Sequence, residues 1–369
     1  MENFLRDLLH ALQKEGVSVS ALVHHHLLGE PFCREREDGI SIFRAPLRGQ
    51  VLYAPISPSF PGLLRQSIKS FRPHLVHFHL PNLSAFWSIF IPEVRAIPWV
   101  IQWQSDVVAS KIDRRMGVAY GLYRPFEQYI LRRSRAIVAT SRPYLLTSRA
   151  LAPFMSKCHV VPLGLDPMRL KMPSQDLIKW AEMKWAKGGT RVLAIGRLTY
   201  YKGHEVLIQA AVRIPDVRVF IVGEGERRPR LERLVKELGL QERVTLPGLL
   251  EESRLHALLA TCDCLCLPSI ERTEAFGLVL LEAMKYARPV VVSDVPGSGI
   301  GWVVRHGKTG LLVRPGDPGE LGKALEVMGG MSGLREGMGR AAKERFDEVF
   351  QIDQVAQEIA VMYQDILRT

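Results

Sequence analysis

Apolar residues along the chain occur in two patterns, short unbroken runs and stretches with a helical period. Short runs bounded by polar residues predict buried strands, and helical spacing over longer stretches predicts helices. A helix predicted at 116–133 should break or kink before Pro125. Strands are predicted at 17–23, 40–46, 74–79, 99–103, 136–140 and 159–161, and then at 191–195, 217–222, 244–246, 263–267, 289–292 and 310–313.

Alternating strands and helices are typical of doubly wound α/β domains. A length of 369 residues with 47% apolar content is enough for two such domains. We expect an N-terminal domain at 1–165, a C-terminal domain at 166–348 and a final helix within 349–369, with 162–167 as the linker. Ligands of open α/β sheets bind at the carboxyl ends of the strands, so two facing domains would form a cleft there.

Two glutamates, Glu274 and Glu282, lie eight residues apart around the predicted start of a helix. Helical spacing begins near Gly277, which places Glu274 in a loop and Glu282 on the helix. The N–H groups of Phe276, Gly277 and Leu278 would point out of the helix start. Free donors and the positive end of the helix dipole favour a diphosphate there. Carboxylates on either side of that anion suit sugar and ribose hydroxyls.

A polar turn with two cations, Arg197 and Lys202, follows the strand predicted at 191–195 and begins at Gly196. At the carboxyl end of a strand, both side chains would face the crevice where ligands bind. Arginine offers a planar fork of donors and lysine a compact point charge. The pair therefore suits the two phosphates of a leaving nucleoside diphosphate.

In this order the motifs resemble the retaining glycosyltransferases of family 4, which have the GT-B fold of two Rossmann-like domains. The resemblance runs from Leu5 to the final helix, which it implies crosses back to the N-terminal domain. It implies that the two cations hold the donor β-phosphate, that Glu274 contacts the transferred sugar and that Glu282 contacts the ribose. The implied catalytic residues are Arg197, Lys202 and Glu274, and the donor site adds Glu282, Phe276, Gly277, Leu278, Gly196, Gly223 and Gly248.

The resemblance implies transfer of a hexose from a nucleoside diphosphate sugar to a saccharide acceptor, with retention and without a metal or other cofactor. A same-face substitution is implied, in which a β-phosphate oxygen takes the acceptor proton. The local sequences at 103–106, 272–277 and 296–300 are most similar to those of bacterial mannosyltransferases of surface polysaccharide assembly. This indicates GDP-mannose, with a UDP-sugar as the alternative donor, and a lipid-linked acceptor. A non-catalytic binding module of the same fold, and a sugar-nucleotide epimerase or phosphorylase, remain open.

The chain departs from the family in two places. At the first place, Gln104 occupies a position where members of the family usually have a histidine. Gln104 and Asp106 are both expected to lie close to the acceptor or the transferred sugar. Glutamine does not titrate, so it cannot transfer a proton. The family's first strand and its glycine-rich loop are also absent, because residues 1–5 correspond to positions just after that loop. Loss of this central strand would expose pairing edges and remove part of the phosphate cradle, and we expect a misassigned start codon.

Basic residues are concentrated in the N-terminal half. Before residue 166, 20 Lys and Arg stand against 11 Asp and Glu, and the rest of the chain contributes only +2 of the net +11. Most of the excess lies at 111–149, where aromatic residues are interleaved with arginines. This combination suits an anionic membrane surface. Nucleic acid is not favoured because no binding motif accompanies the charge, and a solvated helix without a partner remains open.

No apolar run approaches the roughly 18 residues that span a bilayer, and the N-terminus lacks a signal-peptide pattern. We expect a cytoplasmic protein attached peripherally to the inner face of the membrane. Cys262, Cys264 and Cys266 alternate and should be buried, reduced thiols on one strand face rather than metal ligands. The run at 24–26, three histidines placed just after the first predicted strand, should splay apart and bind no metal.

Overall fold

The computed structural model describes residues 2–51, 54–107, 114–185 and 188–368. The chain divides into two compact units. The first unit contains Met1–Pro162 together with Ile352–Thr369, and the second contains Leu163–Gln351.

In the described part of the first unit, the strands form three separate sheets with the orders β1-β3-β2, β4-β5 and β6-β7-β8-β9. The sheet of β6 to β9 is entirely parallel, whereas β3 pairs parallel with β1 and antiparallel with β2. The strands are β1 Ser20–Leu28, β2 Cys33–Glu37, β3 Ile40–Leu47, β4 Gly49–Val51, β5 Ala54–Ile56, β6 Val76–Leu80, β7 Trp99–Trp103, β8 Ala136–Ala139 and β9 Cys158–Val160.

The first strand differs from its prediction at 17–23, because β1 begins at Ser20 and continues to Leu28. The three histidines therefore lie within the strand and not after it. His24 stacks on Phe60 and bonds the Ser84 hydroxyl at 3.0 Å, while His25 contacts the Cys33 sulfur at 3.6 Å. The strand extends beyond its predicted end because β1 remains paired with β3 as far as Leu28, which lies opposite Leu47.

The helices of this part of the chain are α1 Glu2–Lys14, α2 Phe60–Phe71, α3 Pro92–Arg95, α4 Arg114–Arg133 and α5 Arg142–Thr147, with 3₁₀ helices at Leu83–Phe90 and Ala152–Lys157. The predicted break before Pro125 is wrong, because α4 runs through this proline. Proline removes one intrahelical donor, but Pro125 is exposed, so water can bond the carbonyl group left unpaired.

The second unit has one six-stranded parallel sheet with the order β12-β11-β10-β13-β14-β15. Its central strands are short apolar runs because helices cover both faces of a parallel sheet. The strands are β10 Thr190–Ile195, β11 Val217–Val222, β12 Val244–Gly248, β13 Cys264–Leu267, β14 Val290–Ser293 and β15 Gly310–Val313. The helices are α6 Gln175–Trp185, α7 His204–Ala211, α8 Arg228–Glu237, α9 Glu252–Thr261, α10 Leu278–Lys285, α11 Ile300–Val303, α12 Pro318–Gly330 and α13 Ser332–Val349.

The cysteines near β13 belong to the interior of this sheet. Cys264 and Cys266 lie on β13 within the apolar core, and Cys262 is buried just before it. All three are free thiols, and burial raises the pKa of Cys262 to about 12. These groups are therefore uncharged at neutral pH and pack as small apolar side chains.

The last helix, α14 Ile352–Arg368, belongs to the first unit. It packs against α1, where Lys14 and Asp353 form an ion pair of 3.1 Å. Its Tyr363 hydroxyl bonds His77 Nδ1 of β6. None of the described helices is both long and apolar enough to cross a bilayer.

Together, the parallel sheets and covering helices of the two units form an α/β architecture of two Rossmann-like parts, as predicted. Within the described residues, β1 and β6 belong to separate sheets.

Candidate functional site

The loops after β10 and β13 lie at the same edge of the second sheet, because these neighbouring strands are parallel. The first loop contains a 3₁₀ helix at Tyr200–Lys202, and the second leads into α10. The Ile270 amide donates to the Tyr201 carbonyl at 2.8 Å, and the Tyr200 hydroxyl donates to the Glu271 carboxylate. Segments about 70 residues apart in the chain are thereby held side by side.

Lys202 and Glu274 form an ion pair at this junction. Their side chains are only 13% and 11% exposed. Burial alone would lower the pKa of Lys202, but the Glu274 carboxylate outweighs it and raises that pKa above its usual value. The Ser269 hydroxyl donates to the same carboxylate at 3.3 Å. An anionic ligand that binds Lys202 would therefore compete with Glu274 for the ammonium group.

Arg197 is the second predicted cation of the site. Its side chain is exposed, and it forms no ion pair with any residue that the structure describes. Its positive charge nevertheless opposes protonation of Lys202, so the two cations lie within electrostatic reach of each other. The arrangement leaves Arg197 available to an anion that is also bound by Lys202.

Two glycines of the predicted donor site, Gly196 and Gly223, allow close contacts between backbone segments next to Lys202. A Cβ atom at Gly223 would lie 2.0 Å from the Gly196 carbonyl oxygen, and one at Gly196 would lie 3.3 Å from Lys202 Nζ. A side chain at either position would displace the turn or the lysine. Gly248, at the end of β12, accepts from the Gly223 amide at 3.0 Å and so continues the same row of backbone contacts.

The start of α10 presents unused backbone donors. Gly277 precedes the helix with φ of 80°, a left-handed conformation that favours glycine, and no side chain caps the helix. Within the described ranges, the amides of Phe276, Gly277 and Leu278 donate to no other group. The Phe276 side chain is buried against Trp302 and Phe350 instead of facing the site. The helix start therefore has backbone amides available to an anion.

Glu282 lies on α10, one turn beyond the helix start, and is half-buried. Burial raises the pKa of Tyr286 to about 12, and the negative charge of Glu282 adds to this shift. Its separation from Glu274 is that of the predicted motif, with one carboxylate in the loop and the other on the helix.

The loop that carries Glu274 is anchored by residues whose roles were not predicted. The Ser298 hydroxyl donates to the Glu274 carbonyl, and the Gly299 amide donates to the Ala275 carbonyl at 2.8 Å. The Arg272 guanidinium donates to the Gly297 carbonyl at 3.0 Å. These contacts hold the carboxylate in place from the loop after β14. The small residues at 297–299 were the only signal for them in the sequence.

His204 is a second residue that sequence reasoning missed. It is 2% exposed and follows Lys202 by two positions at the start of α7. Burial, helped by the charge of Lys202, lowers the pKa of His204 to about 4, although the nearby Arg197 backbone opposes part of this shift. The ring is therefore neutral at physiological pH. A buried neutral imidazole beside Lys202 adds no competing positive charge to the site.

Gln104 and Asp106 lie in the first unit, directly after β7. The Gln104 side chain hydrogen-bonds His79 Nδ1 at 3.1 Å. Asp106 Oδ1 accepts from the Trp103 ring at 2.9 Å and from the Ser148 hydroxyl at 2.6 Å. Asp106 therefore holds this loop in place through its hydrogen bonds. The orientation of the Gln104 side chain is set by His79.

Several arginines of the basic segment at 111–149 are exposed, whereas Lys111 lies outside the described residues. Exposed apolar side chains accompany its arginines, with Leu122 73% and Phe126 40% exposed. Arg133 differs from its neighbours, because it lies over the Trp99 ring and donates to the Arg95 carbonyl. The other exposed arginines of this segment are Arg124, Arg132, Arg135, Arg142 and Arg149.

Two family descriptions match the chain along nearly its whole length. The group 1 glycosyl transferases match residues 180–345, and the glycosyl transferase 4-like domain matches residues 1–164. O-antigen chain mannosyltransferase C of Escherichia coli is 29% identical over 79% of this chain and 75% of that protein. The D-rhamnosyltransferase WbpZ of Pseudomonas aeruginosa is 34% identical, and the match spans 69% of this chain but only 64% of WbpZ.

Solved structures share the fold. Sucrose-phosphate synthase of Thermosynechococcus elongatus superposes with a TM-score of 0.80 at 23% identity, covering 99% of this chain and 93% of that one. Anabaena HepE in complex with UDP and glucose gives a TM-score of 0.70 at 19% identity, covering 88% and 86%. At these identities the likeness concerns the arrangement of the backbone.

Proposed function

The chain belongs to the family 4 glycosyltransferases of the GT-B fold, and on this premise we propose that it transfers a hexose from a nucleoside diphosphate sugar to a sugar hydroxyl, with retention at the anomeric carbon. The observation that carries the proposal is the buried Lys202–Glu274 pair beside the open start of α10. Lysine and arginine side chains and unused helix-start amides are groups that bind a diphosphate, and this supports the proposal.

The leaving group sets the main electrostatic demand of this reaction. As the bond between the anomeric carbon and the diphosphate oxygen breaks, negative charge grows on the β-phosphate. Lys202, Arg197 and the amides at the start of α10 stabilise that charge. When the β-phosphate binds the Lys202 ammonium group, the ion pair with Glu274 breaks. The Glu274 carboxylate can then orient the transferred sugar.

The acceptor reacts on the same face of the sugar. Its hydroxyl oxygen forms the new bond to the anomeric carbon, and its proton passes to the β-phosphate oxygen that leaves. This route needs no titrating side chain at the position of Gln104, whose amide instead hydrogen-bonds His79. Gln104 and Asp106 are proposed to lie near the acceptor or the transferred sugar.

We take mannose as the sugar, with GDP-mannose as the first donor to test and a UDP-sugar as the second. The similarity to a relative named as an O-antigen chain mannosyltransferase supports this choice, as well as a role in surface polysaccharide or lipopolysaccharide biosynthesis. A catalytically silent binding module would bind the donor equally well, but it would not release the nucleoside diphosphate when an acceptor is present.

A donor screen by thermal unfolding tests the proposal. A matching nucleoside diphosphate at 100 times its dissociation constant should add about 2.7 kcal/mol of stability, or about 5–10 °C in Tm for a domain of this size. The matched control is the nucleoside monophosphate, which lacks the β-phosphate and should give a smaller shift. If no nucleoside diphosphate raises Tm, the donor site is wrong. Binding without sugar transfer to any saccharide acceptor would favour the binding module.

We further propose that the acceptor is lipid-linked and that the first unit attaches to the anionic inner face of the membrane. Exposed arginines and apolar side chains of α4 and its neighbours supply the two required interactions, which are attraction to headgroups and shallow insertion. Each arginine near the anionic membrane surface adds about 1 kcal/mol to the free energy of membrane binding. A lipid-linked sugar could then reach the protein without leaving the bilayer.

Membrane attachment of this kind must weaken with salt, because the Debye length falls from about 10 Å at 0.1 M to about 3 Å at 1 M. We expect co-sedimentation with phosphatidylglycerol vesicles at 0.1 M, its loss at 1 M and little binding to phosphatidylcholine vesicles. Arg124, Arg132 and Arg135 changed together to Glu should abolish binding. Arg133 is left intact because of its contact with Trp99.

The control variant carries the same charge change on the second unit, at the exposed residues Arg233, Lys236 and Lys308. It should bind vesicles like the unaltered protein. Vesicle binding that is unchanged by salt, by lipid charge and by the substitutions at Arg124, Arg132 and Arg135 would leave the basic segment as a solvated surface.

A further inference from the structure

The segment at 196–204, which follows β10 and carries both cations of the proposed donor site, contains buried polar atoms without hydrogen-bond partners. Ten side-chain atoms of this kind occur among the residues that the structure describes, and three of them lie in this segment. They are Thr199 Oγ1 and both ring nitrogens of His204, in residues that are only 6% and 2% exposed. Folded proteins pair nearly all such atoms, because leaving one unpaired is costly. Hydrogen bonds that could form at the proposed donor site are therefore missing here.

The backbone of the 196–204 segment is bonded unevenly along its length. Its base is fixed, because the Leu198 amide donates to the Glu224 carbonyl at 2.8 Å. The 3₁₀ helix that follows is bonded less closely, since the Lys202 amide donates to the Thr199 carbonyl at 3.3 Å. Hydrogen bonds of this type are usually about 2.7–3.2 Å long, and those of a 3₁₀ helix have the poorer geometry. The turn that carries Lys202 can therefore tighten against its fixed base.

The His204 ring lies beside a backbone group that can still accept a hydrogen bond. The ring is close to the Arg197 backbone, and the Arg197 carbonyl accepts from the Thr199 amide at 2.8 Å. A carbonyl oxygen has a second lone pair, and a neutral imidazole always keeps one N–H donor. Within the described part of the chain, however, neither ring nitrogen meets the geometry of a hydrogen bond. A small movement of the turn would complete this bond without changing the fold.

We propose that His204 is a positioning residue of the donor site, and that its ring donates to the Arg197 carbonyl only when a nucleoside diphosphate is bound. This inference rests on the proposed donor function. In the free protein, Glu274 holds the Lys202 ammonium group. When the β-phosphate replaces Glu274 as its partner, Lys202 moves with the 3₁₀ helix, the segment tightens and the His204 bond forms. The bond then holds the backbone from which the Arg197 side chain reaches the phosphate.

The variant His204→Phe keeps an aromatic ring and removes both nitrogens. Its Tm should equal or exceed that of the unaltered protein, because the free protein loses two unpaired polar atoms. The nucleoside diphosphate should bind about 2–12-fold more weakly in calorimetric titration, which corresponds to one net hydrogen bond. The nucleoside monophosphate should bind both proteins equally, because it lacks the β-phosphate that moves Lys202. A lower Tm with equal losses for both nucleotides would make His204 a packing residue and overturn the proposal.

The matched control is Thr140→Val. It removes a buried hydroxyl that likewise has no partner among the described residues, but this hydroxyl belongs to the first unit. The control should leave the affinities for both nucleotides unchanged. A control that weakened diphosphate binding as much as His204→Phe does would remove the assignment to His204.

A second measurement uses the unaltered protein and needs no substitution. Nitrogen-15 NMR should show a slowly exchanging ring N–H of His204 at saturating nucleoside diphosphate, and no such signal with the monophosphate. If no nucleoside diphosphate binds, the proposed function fails together with this inference. Diphosphate binding without the ring signal would overturn the inference alone.

Discussion

Replacing Lys202 with alanine will lower kcat by about 10²–10³, the usual cost of removing one preorganised donor from a developing anion. Donor affinity should fall by no more than about tenfold, because the charge on the β-phosphate grows towards the transition state. Single-turnover measurements with labelled donor, together with calorimetric titration of the nucleoside diphosphate, separate the two effects. A variant with full turnover would exclude Lys202 from leaving-group stabilisation.

Stability must be controlled in this experiment, because the substitution leaves the buried Glu274 carboxylate without its cation. Removing one partner of a buried ion pair typically costs about 3–5 kcal/mol. The double variant Lys202→Met with Glu274→Gln removes both charges and should recover most of the lost Tm while remaining inactive. Lys308→Ala, at an exposed lysine of the same unit, should change neither property. Activity that returned together with Tm would assign the pair a purely structural role.

The second unit could be predicted well from the sequence because its strands are short apolar runs in a parallel sheet. The strands predicted at 217–222 and 310–313 have the observed bounds, and helix α10 begins directly after Gly277 as its apolar spacing indicated. These features depend on local periodicity and on breakers. The same local patterns place Glu274 in a loop and Glu282 on a helix.

Features that depend on long-range contacts could not be predicted. The strand β2 was missed because the residues of Cys33–Glu37 are polar, and it forms as an edge strand by pairing with β3. The ion pair of Lys202 with Glu274 joins residues on different loops, and nothing in either motif indicates it. The burial of His204 likewise follows from packing of α7. Sequence patterns give the residues of a site, whereas their protonation and pairing come from the folded neighbours.

Glu282→Ala should weaken binding of the nucleoside diphosphate by about 10–150-fold, equivalent to the 1.5–3 kcal/mol of a lost hydrogen bond to a charged group. The reason is that, in the proposed donor complex, the ionised Glu282 carboxylate on α10 accepts from the ribose hydroxyls. Because ground state and transition state both make this contact, kcat at saturating donor should remain nearly unchanged. Calorimetric titration and saturation kinetics measure the two quantities.

The ribose assignment is tested with a donor analogue that lacks the 2′ and 3′ hydroxyls. The unaltered protein should prefer the natural nucleotide by about the same factor that Glu282→Ala loses, because both changes remove one interaction. The variant should then bind the nucleotide and its dideoxy analogue equally. Glu326→Ala, at an exposed glutamate on α12, controls for the loss of a helix carboxylate and should keep the full preference. If Glu282→Ala still discriminated between the two nucleotides, its carboxylate would not contact the ribose, and the weaker binding would have to come from a shift of α10.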